Sequence, residues 1–296
     1  MRRIKLLAAA FALLTLAGFA QTAQPKPELL LFHPSGPPLS YEVATVKPVA
    51  TNTADRVVKL PPGVMARTFS PLSIRSYIMN AYGAIYAAQV VGGPDWINKD
   101  AYDIKGKVPD DLEAAFQKMT FASRDDQTRA MQQSLLADRF HLKAHFETRV
   151  LPVYELVPAK GGLKITAVPA PPERKPGDPP IHLRSCDPLS PGSFETRHNS
   201  NGLRVFNGCA IKIQSLIRPI GPDAGDRPIV DHSGFTGYFD IKDLTWTPLG
   251  DADAASTPDA PSLSGALEQK LGLKIVRAKD PIEVLVIDSI DRPSPN

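Results

Sequence analysis

After residue 20 this chain has no apolar run long enough to cross a bilayer, so a helical membrane anchor is left only to an uncleaved first twenty residues. It has no cluster of lysine and arginine. Three of its 34 basic residues, Arg2, Arg3 and Lys5, lie in the first twenty positions, where none of the 31 acidic residues falls. The remainder is therefore neutral with histidines uncharged, a poor match to nucleic acid or an anionic membrane. Cysteine is scarce: Cys186 and Cys209 stand alone, with no C-x-x-C spacing to suggest a zinc site. Nucleotide-loop signatures are missing as well, since neither G-x-x-x-x-G-K-[ST] nor G-x-G-x-x-G occurs.

What is present begins with a basic start followed by the apolar run Leu6 to Ala20, ending in small residues. That pattern predicts a secretory signal over 1–20 and an exported protein, periplasmic or secreted. In an oxidising compartment the cysteine pair most simply forms a disulfide, closing a loop of about two dozen residues worth on the order of 3 kcal/mol. Two free thiols or a metal pair are the alternatives. The 30 prolines disfavour a helical bundle and predict short strands with many turns.

The chain divides into a proline-rich leader (21–40), a first unit (41–167), a proline-rich linker (168–182) and a second unit (183–296) with a mobile loop at 250–264. In the first unit "YEVATVKP" alternates as a strand stopped by Pro48. "SPLSIRSYIMNAYG" predicts a helix capped by Ser70 and ended by Gly83. Met131, Leu135, Leu136 and Phe140 form one helical stripe, and the stretch from His141 to Lys160 reads as two strands broken at Pro152. Much of this recurs. Residues 72–78 align with 211–217, Asp103-Ile104-Lys105 with Asp240-Ile241-Lys242, and Phe140, Leu142 and Lys143 with Leu271, Leu273 and Lys274. The expected fold class is α+β, with two related units of small antiparallel-rich sheet covered by helices. The sequence leaves open whether the two sheets share a core.

Candidate sites follow from the turns and the polar strand faces. Gly92-Gly93-Pro94-Asp95 and Asp231-His232-Ser233-Gly234 occupy matching places before a strand, each followed by an aromatic, Trp96 or Phe235. Glycine supplies the required angles, and Asp or Ser can bond the turn backbone, which predicts scaffold. Asp231-His232-Ser233 holds the residue types of a hydrolase triad. Adjacent residues point in different directions, however, and no G-x-S-x-G elbow is present. His141 and His145 have the i, i+4 spacing of a zinc pair on a helix. Their segment alternates like a strand instead, where same-face residues two apart lie about 7 Å from each other. The acidic pairs Asp110-Asp111 and Asp125-Asp126 sit at helix starts, where the dipole accounts for them.

Six blocks, among them "VVGGPDWINKDAYDIKGKVP", "QSLLADRFHLKAHFETRVLPVYELVPAKGG" and "RPIVDHSGFTGYFDI", resemble in order a soil-associated exported domain-of-unknown-function family expanded in Acidobacteria. The resemblance runs from about residue 41 to the C-terminus. It carries no catalytic residues. The family pattern His-x-Glu-Thr-Arg is kept as His145, Glu147, Thr148 and Arg149, whereas a basic residue and Thr usually stand where this chain has His232 and Ser233. Expected binding residues are thus His145, Glu147, Arg149, Asp95, Trp96 and Asp231, with no catalytic group, metal or cofactor assigned. The leading function is a non-enzymatic envelope module that binds a protein, peptide or saccharide. The alternatives are an exported hydrolase or metal-dependent enzyme with a site near His145, in a cleft shared with Asp95 or Asp231, and a partner or sensor of an envelope peptidase.

Overall fold

The computed structural model describes residues 29–36, 39–49, 66–173, 189, 191–249 and 260–293. The predicted signal, most of the linker, residues 250–259 of the predicted loop, and Cys186 lie outside these residues. Among the described residues the architecture is α+β: six helices and three mostly antiparallel sheets.

One sheet is built from β1 (Val43–Val49), β4 (Ala101–Lys107) and β2 (Ala66–Ser73), with β4 in the middle. A second orders β6 (Ala167–Val168), β10 (Tyr238–Trp246), β8 (Arg204–Ile211) and β7 (Ser193–His198). Between them in function is the central sheet, β3 (Val90–Gly92), β11 (Leu273–Ser289), β5 (Lys143–Pro158) and β9 (Ile229–Asp231). Its two long strands pair antiparallel from Leu273 opposite Pro158 to Ser289 opposite Lys143. The short strands cross over. β3, from the first half, pairs parallel with β11, and β9, from the second half, pairs parallel with β5. Matching pairings recur in the outer sheets, with Leu72 opposite Tyr102 and Ile211 opposite Phe239.

The helices follow from local sequence. α1 (Ile74–Tyr82) is capped by Ser73, whose Oγ accepts the Ser76 N–H at 3.2 Å. The sequence places that cap at Ser70, but pairing with β4 holds the chain extended as far as Ser73. Gly83 ends the helix at φ 69°, where a side chain would collide with Arg129. α2 (Trp96–Lys99) is one turn, and α3 (Asp110–Lys118) carries acidic residues in its first turn. α4 (Phe121–Arg139) buries Met131, Leu135 and Leu136, and Phe140 is buried at its C-terminal cap, each stabilising by about 1.5–3 kcal/mol. α5 (Ile213–Ala224) and α6 (Leu263–Leu271) cover the second half. His141 after α4 has φ 48° and Gly272 after α6 has φ 64°, so both helix-to-strand joints use the left-handed region.

Pro152 does not break β5, which runs unbroken for 16 residues. Two positions on, the Tyr154 N–H donates away from β11, to the Pro228 carbonyl at 2.7 Å. Backbone direction alternates along a strand, so position 152 also faces away from β11 and the ladder loses no bond to the missing N–H. Pro48 is tolerated likewise on β1, an edge strand.

Two apolar cores lie against the central sheet. The first gathers Ile74, Tyr77, Ile78, Ile97 and Phe140 with Leu285 and Ile287 of β11. The second gathers Phe206, Leu216, Ile220, Phe239 and Trp246 with Leu156 of β5. A smaller cluster, Val153, Val230, Ile282 and Val284, has Leu29 against it. Residues before Tyr41 thus join the fold. The Leu31 N–H donates to Glu283 Oε2 at 2.6 Å, His33 Nε2 lies 3.0 Å from Glu283 Oε1, and the His33 ring stacks on Phe146.

Candidate functional site

The predicted residues settle in several places. His145, Glu147 and Arg149 lie on alternate positions of β5, opposite Val286, Val284 and Ile282. They share one strand face and are spaced along it. His145 Nδ1 meets Asp288 at 3.0 Å, and Arg149 donates to Glu147 Oε2 at 2.7 Å. That hydrogen bond from Arg149 lowers the pKa of the Glu147 carboxyl below its ordinary value. Asp95 is exposed and faces Lys99 at 3.7 Å. The Trp96 ring carries the Arg292 guanidinium 5.0 Å from its centroid, while neighbouring Ile97 is fully buried. Asp95 is paired elsewhere than with the His145 row, and so is Asp231. The Asp231 carboxylate accepts the Ser233 N–H at 3.0 Å, and Ser233 Oγ accepts the Phe235 N–H at 3.1 Å. His141 lies 3.3 Å from Asp291.

The turn at 92–95 is held as firmly. Arg75 donates to the carbonyls of Val90 and Gly92. Gly93 has φ 81°, and a Cβ there would stand 2.6 Å from Ile97 Cδ1, so glycine is required for the close approach.

Concave surface lies elsewhere. A cleft of about 460 Å³ opens between α1, α4 and α5. Met79 and Ile85 give it apolar wall; Asn80, Gln214, Arg129 and Arg218 give it donors. Two of the donors are held by carboxylates. Arg129 is held through Nε and Nη2 by Asp125, and Gly83 leaves it room. Gln214 donates to Asp231 Oδ2 at 3.2 Å, so the predicted residue Asp231 orients a cleft residue. Arg218 is exposed on α5 and makes no ion pair with a described residue. The size suits a small ligand. Nearby Tyr86 packs on the second core, and burial pushes its hydroxyl up to about 12.

A second group is assembled from three strands. Glu155 on β5, His232 just after β9 and Asp280 on β11 bring one ligand-capable atom each within 4.8 Å of one another. His232 Nδ1 is 3.6 Å from Glu155 Oε1, and Nε2 is 3.7 Å from Asp280 Oδ2. Asp280 is buried, and its Oδ2 has no hydrogen-bond partner. Sequence reasoning missed both groups. The cluster did leave a trace: Glu155 and Asp280 occupy alternate positions in line with buried Val153 and Ile282, where an apolar side chain is expected.

Fold and site together define an α+β protein built on a central sheet that both halves share. The family model described as "Protein of unknown function (DUF3738)" matches residues 75–290, and the chain belongs to this family. Comparison with curated proteins and with solved structures found no match.

Proposed function

We propose that this protein is an exported, non-enzymatic binding module whose α1–α4–α5 cleft takes a carboxylate-bearing peptide or saccharide. The observation that carries this reading is the composition of the cleft wall. It offers Arg129, Arg218, Asn80 and Gln214 as donors beside Met79 and Ile85, and its lining includes no histidine, cysteine or carboxylate to serve as base or nucleophile. Arginine presents a planar fork suited to a carboxylate. The basic, apolar start of the chain supports export, and export in turn supports a Cys186–Cys209 disulfide.

The test is thermal unfolding against acidic and neutral oligosaccharides, cell-wall fragments and short peptides. A ligand at 100 times its dissociation constant stabilises by about 2.7 kcal/mol, a rise of several degrees. The expected result is a rise with carboxylate-bearing ligands that Arg218→Ala abolishes, with the ligand recovered unchanged. An equal rise in Arg218→Ala, or turnover of the ligand, overturns the reading.

A further inference from the structure

We infer that Glu155, His232 and Asp280 form a binding site for a divalent metal ion of the zinc class, separate from the cleft. The donor set is one imidazole nitrogen and two carboxylate oxygens, a combination zinc accepts. With bonds of about 2.1 Å, two ligands of a tetrahedral ion stand roughly 3.4 Å apart. The carboxylate-to-imidazole separations here are 3.6 and 3.7 Å. They are too long for direct hydrogen bonds, and the one that runs to the coordinating nitrogen is close to the span across an ion. The imidazole lies between the carboxylates, one ring nitrogen toward each. One ligand atom from each residue falls within 4.8 Å of the others, and an ion would bind one ring nitrogen with the farther carboxylate turned toward it.

The surroundings favour an ion. Val153, Val230 and Ile282, all buried, line the same sheet face. Two carboxylates in such a setting repel each other and lose solvation, and a divalent charge offsets both costs. Asp280 is the decisive group. It is 8 % exposed, and its Oδ2 accepts no hydrogen bond. A buried charged oxygen without a donor is rare in folded proteins and calls for a partner. The imidazole that the ion would bind lies 3.7 Å from that oxygen.

The experiment is calorimetric titration of the chelator-treated full chain with zinc chloride, paired with unfolding midpoints in zinc and in chelator. One equivalent of zinc should bind and raise the midpoint, and chelator should reverse the rise. Asp280→Asn, which keeps the shape of the side chain, and His232→Gln should each weaken binding at least tenfold. His198→Gln, on the exposed edge strand β7, should leave it unchanged. His232 is only half-buried, so its variant keeps the test open if Asp280→Asn fails to fold. No saturable binding, or equal affinity in the foldable cluster variants and the parent, overturns the site.

Discussion

Asp223→Ala should be among the most damaging single changes in the second core. Asp223, near the end of α5, has a side chain only 4 % exposed. Its Oδ2 accepts the indole N–H of Trp246 at 2.8 Å and lies 3.1 Å from Arg204 Nε, while Oδ1 accepts the Leu249 N–H at 3.1 Å. Trp246 is fully buried, so alanine strands its N–H in the core at a cost of about 1–3 kcal/mol. The same change leaves Arg204, three-quarters buried, without its carboxylate, and breaking a buried pair from one side costs about 3–5 kcal/mol. These penalties overlap, because one carboxylate accepts both N–H bonds and faces the guanidinium, so the expected total is about 4 kcal/mol. For a chain of this size that is a fall in unfolding midpoint of roughly 8–12 °C. Differential scanning calorimetry measures it directly, with tryptophan fluorescence reporting the loosened indole. A fall under 2 °C would show that Trp246 and Arg204 find other partners, and would refute the assignment of Asp223 as the anchor of this core.

Two further outcomes are expected. Glu283→Ala removes the carboxylate that receives the Leu31 N–H and faces His33, so residues 29–33 should become sensitive to limited proteolysis and the protein should lose about 2 kcal/mol; unchanged cleavage counts against the docked segment. Burial pushes Tyr86 up to about 12, so its contribution to stability is fully present below pH 10, where the unfolded hydroxyl stays protonated. It is lost as pH rises through about 12. Tyrosinate absorbance followed alongside circular dichroism checks this, and Tyr86 ionising near pH 10 in the folded protein would contradict it.

The sequence exposes features set by neighbours along the chain and hides those set across it. The stripe Met131, Leu135, Leu136 and Phe140 was legible because helical spacing is local; the first three are buried in α4 and Phe140 is buried at its C-terminal cap. The stop at Gly83 was legible because it reflects backbone freedom, as was the turn held by Asp231 and Ser233. Pro152 misled because its cost depends on which side of the strand has a partner, and only pairing with β11 and β9 decides that. The start of α1 moved from Ser70 to Ser73 for a similar reason: the bond to β4 outweighs the earlier cap. The cleft and the Glu155–His232–Asp280 group were illegible because each takes residues from distant segments. Nothing near His232 in the chain announces Asp280, although both lie at the end of alternating apolar stretches.

The pairing of β5 with β11 also fixes when the molecule can fold. Lys143 meets Ser289, and Pro158 meets Leu273, so the longest ladder closes only after residues 273–289 have joined a strand more than a hundred positions earlier. Until then the apolar positions Val153 and Leu156 have no permanent cover from that partner. β3 must wait in the same way, since among the described strands it pairs with β11 alone. Contacts so remote in sequence slow the search for the native state. The central sheet therefore closes only when β11 slides between two segments made long before it.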